Sequence, residues 1–148
     1  MKLMTGGALG TLMFALAAGS AAAQSAERVN EAFKAGVDMG ISPVTADEMT
    51  MCAAYWEIWR QSAERDWEQF FVDALDPALK PEEADFASYY WKNEAQAEYE
   101  NRDGDLTAYE PQVEIALGQA TEAYDRLMLL APDQLKIFET LGTCTVPG

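Results

Sequence analysis

The sequence contains no histidine. That absence removes the Ser-His-Asp and Cys-His catalytic arrangements, the common zinc ligand sets and histidine-ligated haem. It also removes the C-x-x-C-H haem attachment motif and the Glu-x-x-His pair of di-iron bundles. Basic residues are few: 10 Lys and Arg stand against 25 Asp and Glu, a formal net charge of −15. A surface of that sign repels nucleic acid and anionic membranes, so neither is an expected partner, whereas a cationic protein is favoured. No run of alternating polar and apolar residues is long enough for a useful strand, and no internal repeat appears. No phosphate-binding glycine loop stands in the body of the chain; Gly6, Gly7 and Gly10 fall in the N-terminal leader.

Cysteine is scarce as well. Cys52 and Cys144 are the two present, without a C-x-x-C motif. An isolated pair in an oxidising compartment is most simply one structural disulfide. Such a bond would tie the C-terminal tail to an early helix.

The chain does carry the marks of export. Met1 and Lys2 make a short positive start, no charged residue follows from Leu3 to Ala23, and Ala8 to Ala18 is mostly apolar. Ala21 and Ala23 fit an A-x-A cleavage site with Gln24 as the new N-terminus. The expectation is a cleaved secretory signal peptide over 1–23 and a single acidic domain over 24–148, periplasmic or secreted. No later segment reads as a membrane span. Loss of Lys2 with the leader takes the mature charge to about −16. With 4 Trp and 6 Tyr, the mature part is too aromatic for an acidic disordered chain.

Apolar spacing predicts an all-α bundle of about four main helices plus one or two short ones. Ser25 is the expected cap of a short first helix carrying Val29, Ala32, Phe33 and Val37, ended by Gly40, Ser42 and Pro43. Thr45–Glu48 reads as a capping box ahead of Met49, Cys52, Ala53, Trp56 and Trp59. That helix continues or kinks near Arg65 into Trp67, Phe70, Phe71, Ala74 and Leu75. Pro81, Glu82 and Glu83 suit the start of a third helix, with Ala84, Ala87, Trp91 and Ala95 on its apolar face, running to about Asn101. A fourth carries Val113, Ala116, Leu117, Ala120, Tyr124 and Leu127. A short last helix carries Leu135, Phe138 and Leu141, with Gly142 as its expected stop. Short connections predict that successive helices pack as antiparallel neighbours.

Two groups of residues are candidates for a site. Asn101, Asp103, Gly104, Asp105 and Glu110 fall in the order of an EF-hand loop, which makes calcium the one cofactor the residue order suggests. Against it, Tyr99 stands where the first acidic ligand belongs, Pro111 follows the closing Glu, and no second loop is present. The same residues read as an Asp-Gly turn followed by a capping box at Thr107–Glu110. The second group is Tyr89, Tyr90 and Trp91: three consecutive aromatics cannot all face a core, so one or two must sit at an edge, a boundary or a contact surface, which makes the group a candidate ligand or partner surface beside the plainer reading of core packing. Paired carboxylates could serve a hydrolase, but acids such as Glu94, Glu98, Glu114 and Glu122 fall on polar helix faces. The leading expectation is a non-enzymatic protein that binds another protein. Binding of a small ligand or calcium, and a carboxylate-dependent hydrolase, are the alternatives.

Overall fold

The computed structural model describes residues 13–103, 106–107, 109–129 and 134–148, with side chains over 25–102, 106–107, 109–126 and 134–148. The fold is all-helical. Its elements are α1 (Met13–Asp38), α2 (Ala46–Arg65), α3 (Gln69–Asp73), a 3₁₀ turn at Pro77–Leu79, α4 (Pro81–Asp103), α5 (Tyr109–Leu129) and α6 (Gln134–Thr143). Among the described residues, four long helices and two short ones match the predicted number.

α1 begins earlier than expected. Ser25 lies within the helix rather than at its cap, because the Ala-rich stretch before it is a strong helix former. The other end follows the sequence: Gly40 adopts φ 63° just beyond α1, a conformation that costs glycine little.

α2 is the central helix. Thr45 caps it with the predicted box, accepting from the Glu48 amide while the Glu48 carboxylate accepts from the Val44 and Thr45 amides. Those backbone donors, Val44 foremost, hold the Glu48 carboxyl below its usual range. At Arg65 the helix ends; Asp66 closes it, and α3 is a separate short helix.

The pairings depart from a simple hairpin order. The closest join α2 to α4, α1 to α6 and α2 to α5. Individual side-chain contacts give the directions. Asp47 meets Tyr99, Ala53 meets Ser88 and Arg60 meets Asp85, so α4 runs antiparallel to α2. Ala54 packs with Ala116 and Ala120, and Ser62 meets Tyr124 further along, so α5 runs parallel to α2. α2 takes a helix on each of two sides because it is apolar around most of its circumference.

Gly142 does not stop α6. It lies inside that helix, buried against α1. A Cβ there would stand 2.2 Å from the Phe33 carbonyl oxygen, and one on Gly36 would stand 2.0 Å from the Glu139 carbonyl oxygen. The two helices therefore touch backbone to backbone, a separation only glycine permits.

The main core gathers Trp56, Trp59, Leu79, Ile137, Phe138 and Leu141, all essentially inaccessible. Every tryptophan satisfies its N–H: Trp56 and Trp91 both donate to the Cys144 carbonyl, at 2.7 and 2.6 Å. Trp59 donates to the Leu79 carbonyl and Trp67 to the Ser62 hydroxyl oxygen. The disulfide joins Cys52 to Cys144 as the sequence predicts. Two indoles and one covalent bond thus converge on Cys144 and seat the C-terminal segment on α2 and α4.

Candidate functional site: apolar surfaces rimmed by acids

The structure separates the three consecutive aromatics. Tyr89 projects outward and is 66% exposed. Tyr90 is half-buried and meets Trp91 edge-on at 5.1 Å. Trp91 is 2% exposed and belongs to the core, as its place on the apolar stripe of α4 requires. Of the proposed surface only Tyr89, with part of Tyr90, reaches solvent. Phe86, one turn earlier, is exposed beside them.

The residues in calcium-loop order are spread over two helices. Asn101 lies exposed in the last turn of α4, whose final residue is Asp103, and Glu110 lies exposed in the first turn of α5. The side chain of Asp103, together with Gly104 and Asp105, lies outside the described residues, as does Ala108 of the proposed cap. Tyr99, at the first ligand position, is buried and donates to the Asp47 carboxylate at 2.8 Å. Among the described residues no three acidic side chains converge in a way that could hold a metal. Calcium needs six or more oxygens. Because Tyr99 stands at the first ligand position with its hydroxyl committed to Asp47, millimolar calcium is expected to leave the thermal midpoint unchanged; a rise of several degrees, reversed by a chelator, would support the calcium reading.

Carboxylates that do come together are held by Arg60. It binds Glu57 at 2.7 Å and Glu64 at 2.9 Å and stands 3.4 Å from Asp85. The Arg60 bond is the main cause holding the Glu57 carboxyl below its ordinary range. Glu57 is therefore favoured as a carboxylate by the arginine it binds, the opposite of the protonated partner a glycosidase-type pair requires.

Among the described residues, the largest exposure of apolar side chains lies elsewhere, at the α1–α2 connection. Val37 and Met39 are exposed, Ile41 is 62% and Val44 is 73% exposed. Val37 belongs to the stripe the spacing assigned to the core, yet its side chain is exposed even though its backbone lies against Gly142 of α6. Val44 is not on a loose tip: its amide donates to Glu48 within the capping box, so the backbone beneath it is fixed. Beside these residues lies an apolar cavity of about 370 Å³, lined by Ile41, Pro43, Met51, Tyr55 and both cysteines. Asp47 and Glu48 stand on its rim. Asp38 is close in sequence, but Lys34 pairs with it at 2.7 Å.

No protein-family model matches the chain, and comparison with curated proteins and with solved structures gives no significant match.

Sequence reasoning passed over Ile41 and Val44, since the stretch 40–43 served it only as a helix terminator. The signal was there: two aliphatic residues flanking Ser42-Pro43, in a connection where polar residues would suffice.

Proposed function

We propose that this chain is an exported, non-enzymatic helical protein that binds a protein partner through the Val37–Val44 surface. The partner would present apolar side chains flanked by Lys or Arg. One observation carries the reading: Ile41 and Val44 are the most exposed aliphatic residues described, and Val44 is held out on a backbone anchored by the Glu48 carboxylate. Large apolar groups kept in water at a fixed position are what a docking surface needs, because little ordering entropy remains to be lost on binding. The acids on the rim and the net charge of −15 set the sign of the partner. Export rests on the Lys2 start, the uncharged run to Ala23 and the Ala21–Ala23 cleavage pattern; the disulfide is consistent with an oxidising compartment.

The test uses protein recovered from the cell that makes it. Intact mass should correspond to the oxidised chain starting at Gln24; a leader still attached would remove the cleavage part of the proposal. Wild-type protein and the Ile41→Ser/Val44→Ser variant are then compared side by side for what they retain. A partner held by wild type should be lost with the variant. It should also be released between about 0.1 and 1 M salt, as the screening length falls from about 10 to about 3 Å. A partner held equally by both proteins would place binding elsewhere. Retention that ignores salt would remove the cationic requirement.

A further inference from the structure

A second groove, of about 440 Å³, lies between α2, α4 and α5 and shares no residue with the Val37–Val44 surface. Its size falls within the range of small-ligand sites, about 300–1,000 Å³. Ala53 and Ala54 of α2 face Val113 and Leu117 of α5 across it, so its floor is apolar and is kept open by two short side chains.

The polar wall comes from α4. Asp85, Ser88, Tyr89 and Lys92 follow i, i+3, i+4, i+7 spacing and share one stripe along the groove. Their hydrogen-bonding states differ. The Ser88 hydroxyl donates to the Ala53 carbonyl at 3.0 Å, so its proton is committed and its lone pairs remain as acceptors. Tyr109, at one end, donates to the Lys92 carbonyl, and burial pushes its phenol up to about 12, so it stays neutral. Asp85 is exposed and only loosely engaged, 3.4 Å from Arg60. Lys92 is the contrast. Among the described residues its ammonium makes no hydrogen bond or ion pair, although it stands near enough to Glu57 to help lower that carboxyl. Helical side chains lean toward the N-terminus, which carries the Lys92 stem back over Ser88.

The groove therefore sets one cation that is unpaired among the described residues beside the Asp85 carboxylate and the Ser88 hydroxyl oxygen, which accept, and the Tyr89 phenol, which can accept or donate, above an apolar floor. A simple anion would suit Lys92 but meet the Asp85 and Glu57 charges. A simple organic cation would suit Asp85 and Ser88 but meet Lys92 and Arg60. A small molecule carrying both charges satisfies both sides at once. We propose that this groove binds a free amino acid with an apolar side chain. Its carboxylate lies on Lys92, its ammonium toward Asp85 and Ser88, and its side chain over Ala53, Ala54 and Leu117.

Isothermal titration of the oxidised 24–148 protein with L-phenylalanine, 2-phenylethylamine and 3-phenylpropionate tests this. The three probes share the apolar body and differ in charge. Phenylalanine should bind saturably at millimolar levels, and the other two at least about tenfold more weakly, as expected for loss of one charge-assisted hydrogen bond. Lys92→Gln, on an exposed side chain, should weaken phenylalanine by about tenfold and leave the amine bound no more weakly than before, since the charge that repels it is gone, with an unchanged circular dichroism spectrum. Ile41→Ser/Val44→Ser should leave phenylalanine binding intact, which separates this site from the partner surface. Absence of binding by all three probes would overturn the proposal. So would an amine or an acid binding as tightly as phenylalanine, or a Lys92→Gln variant that binds like wild type.

Discussion

Replacing both cysteines with alanine is expected to lower the unfolding free energy by about 4–5 kcal/mol. The bond closes a loop of 92 residues, and the chain-entropy model gives a stabilisation of that size for so long a loop. The figure is large beside the total stability of a small domain, about 5–15 kcal/mol. The effect should also be local. Cys144 is the residue on whose carbonyl Trp56 and Trp91 converge, and Val146 beyond it packs against the main core. Without the bond, the terminal segment is held by two hydrogen bonds and a few contacts, and it should open before the rest. Guanidinium unfolding of the oxidised protein and of Cys52→Ala/Cys144→Ala, followed by tryptophan fluorescence, checks this. A difference below about 1 kcal/mol would show that the bond contributes little beyond the packing around it. Cys52 and Cys144 also line the cavity beside Ile41. Loss of the bond should therefore weaken partner retention at that surface and leave amino-acid binding at the α2–α4–α5 groove largely unchanged.

The second large effect is a single added methyl. Gly142→Ala is expected to cost about 3 kcal/mol or more, the upper end for overpacking a close contact. The new Cβ would stand 2.2 Å from the Phe33 carbonyl oxygen and 2.8 Å from the Gly36 Cα. Both are backbone atoms of a helix, so no rotamer change relieves the clash; α1 and α6 must move apart. Gly36→Ala meets the Glu139 carbonyl in the same way and should behave alike. Because one separation of the helices accommodates both methyls, the double variant should cost clearly less than the sum of the singles. Gly118→Ala is the control. That glycine is exposed in α5 with nothing within 4 Å of an added Cβ, so the same change should stabilise by up to about 1 kcal/mol through helix propensity. Thermal melts of the four variants decide it. Gly142→Ala melting at or above the wild-type temperature would mean that α1 and α6 are not in backbone contact.

What the sequence could and could not reveal about a site follows from the same distinction between local and distant causes. The aromatic run at 89–91 was readable as a boundary because helical geometry alone forbids three consecutive residues from sharing a face. Which of the three faces out was also readable, since Trp91 continues the Ala84–Ala87–Ala95 stripe. The α2–α4–α5 groove was not readable. Asp85, Ser88 and Lys92 look like ordinary polar residues of a solvated helix until α5 is placed across from them. The exposure of Ile41 and Val44 was equally hidden, because an aliphatic residue in a connection is covered or bare according to what passes over it.

Local chemistry alone determined the helices of this protein and several of their ends. Thr45 and Glu48 begin α2 because their side chains satisfy the first amides, Gly40 follows the end of α1 because it takes a positive φ, and apolar spacing marks the inward faces. The pairing of the two cysteines also followed from the sequence, since no other partner exists. Only the tertiary structure decided which helices meet. Short connections suggested consecutive neighbours, yet α2 lies between α4 and α5, and α1 closes against α6. Periodicity reports that a face is apolar, not what covers it. The choice between partners was made by shape: two glycines far apart in the chain allow α1 and α6 to touch, and the small residues Ala54, Ala116 and Ala120 let α5 lie close along α2.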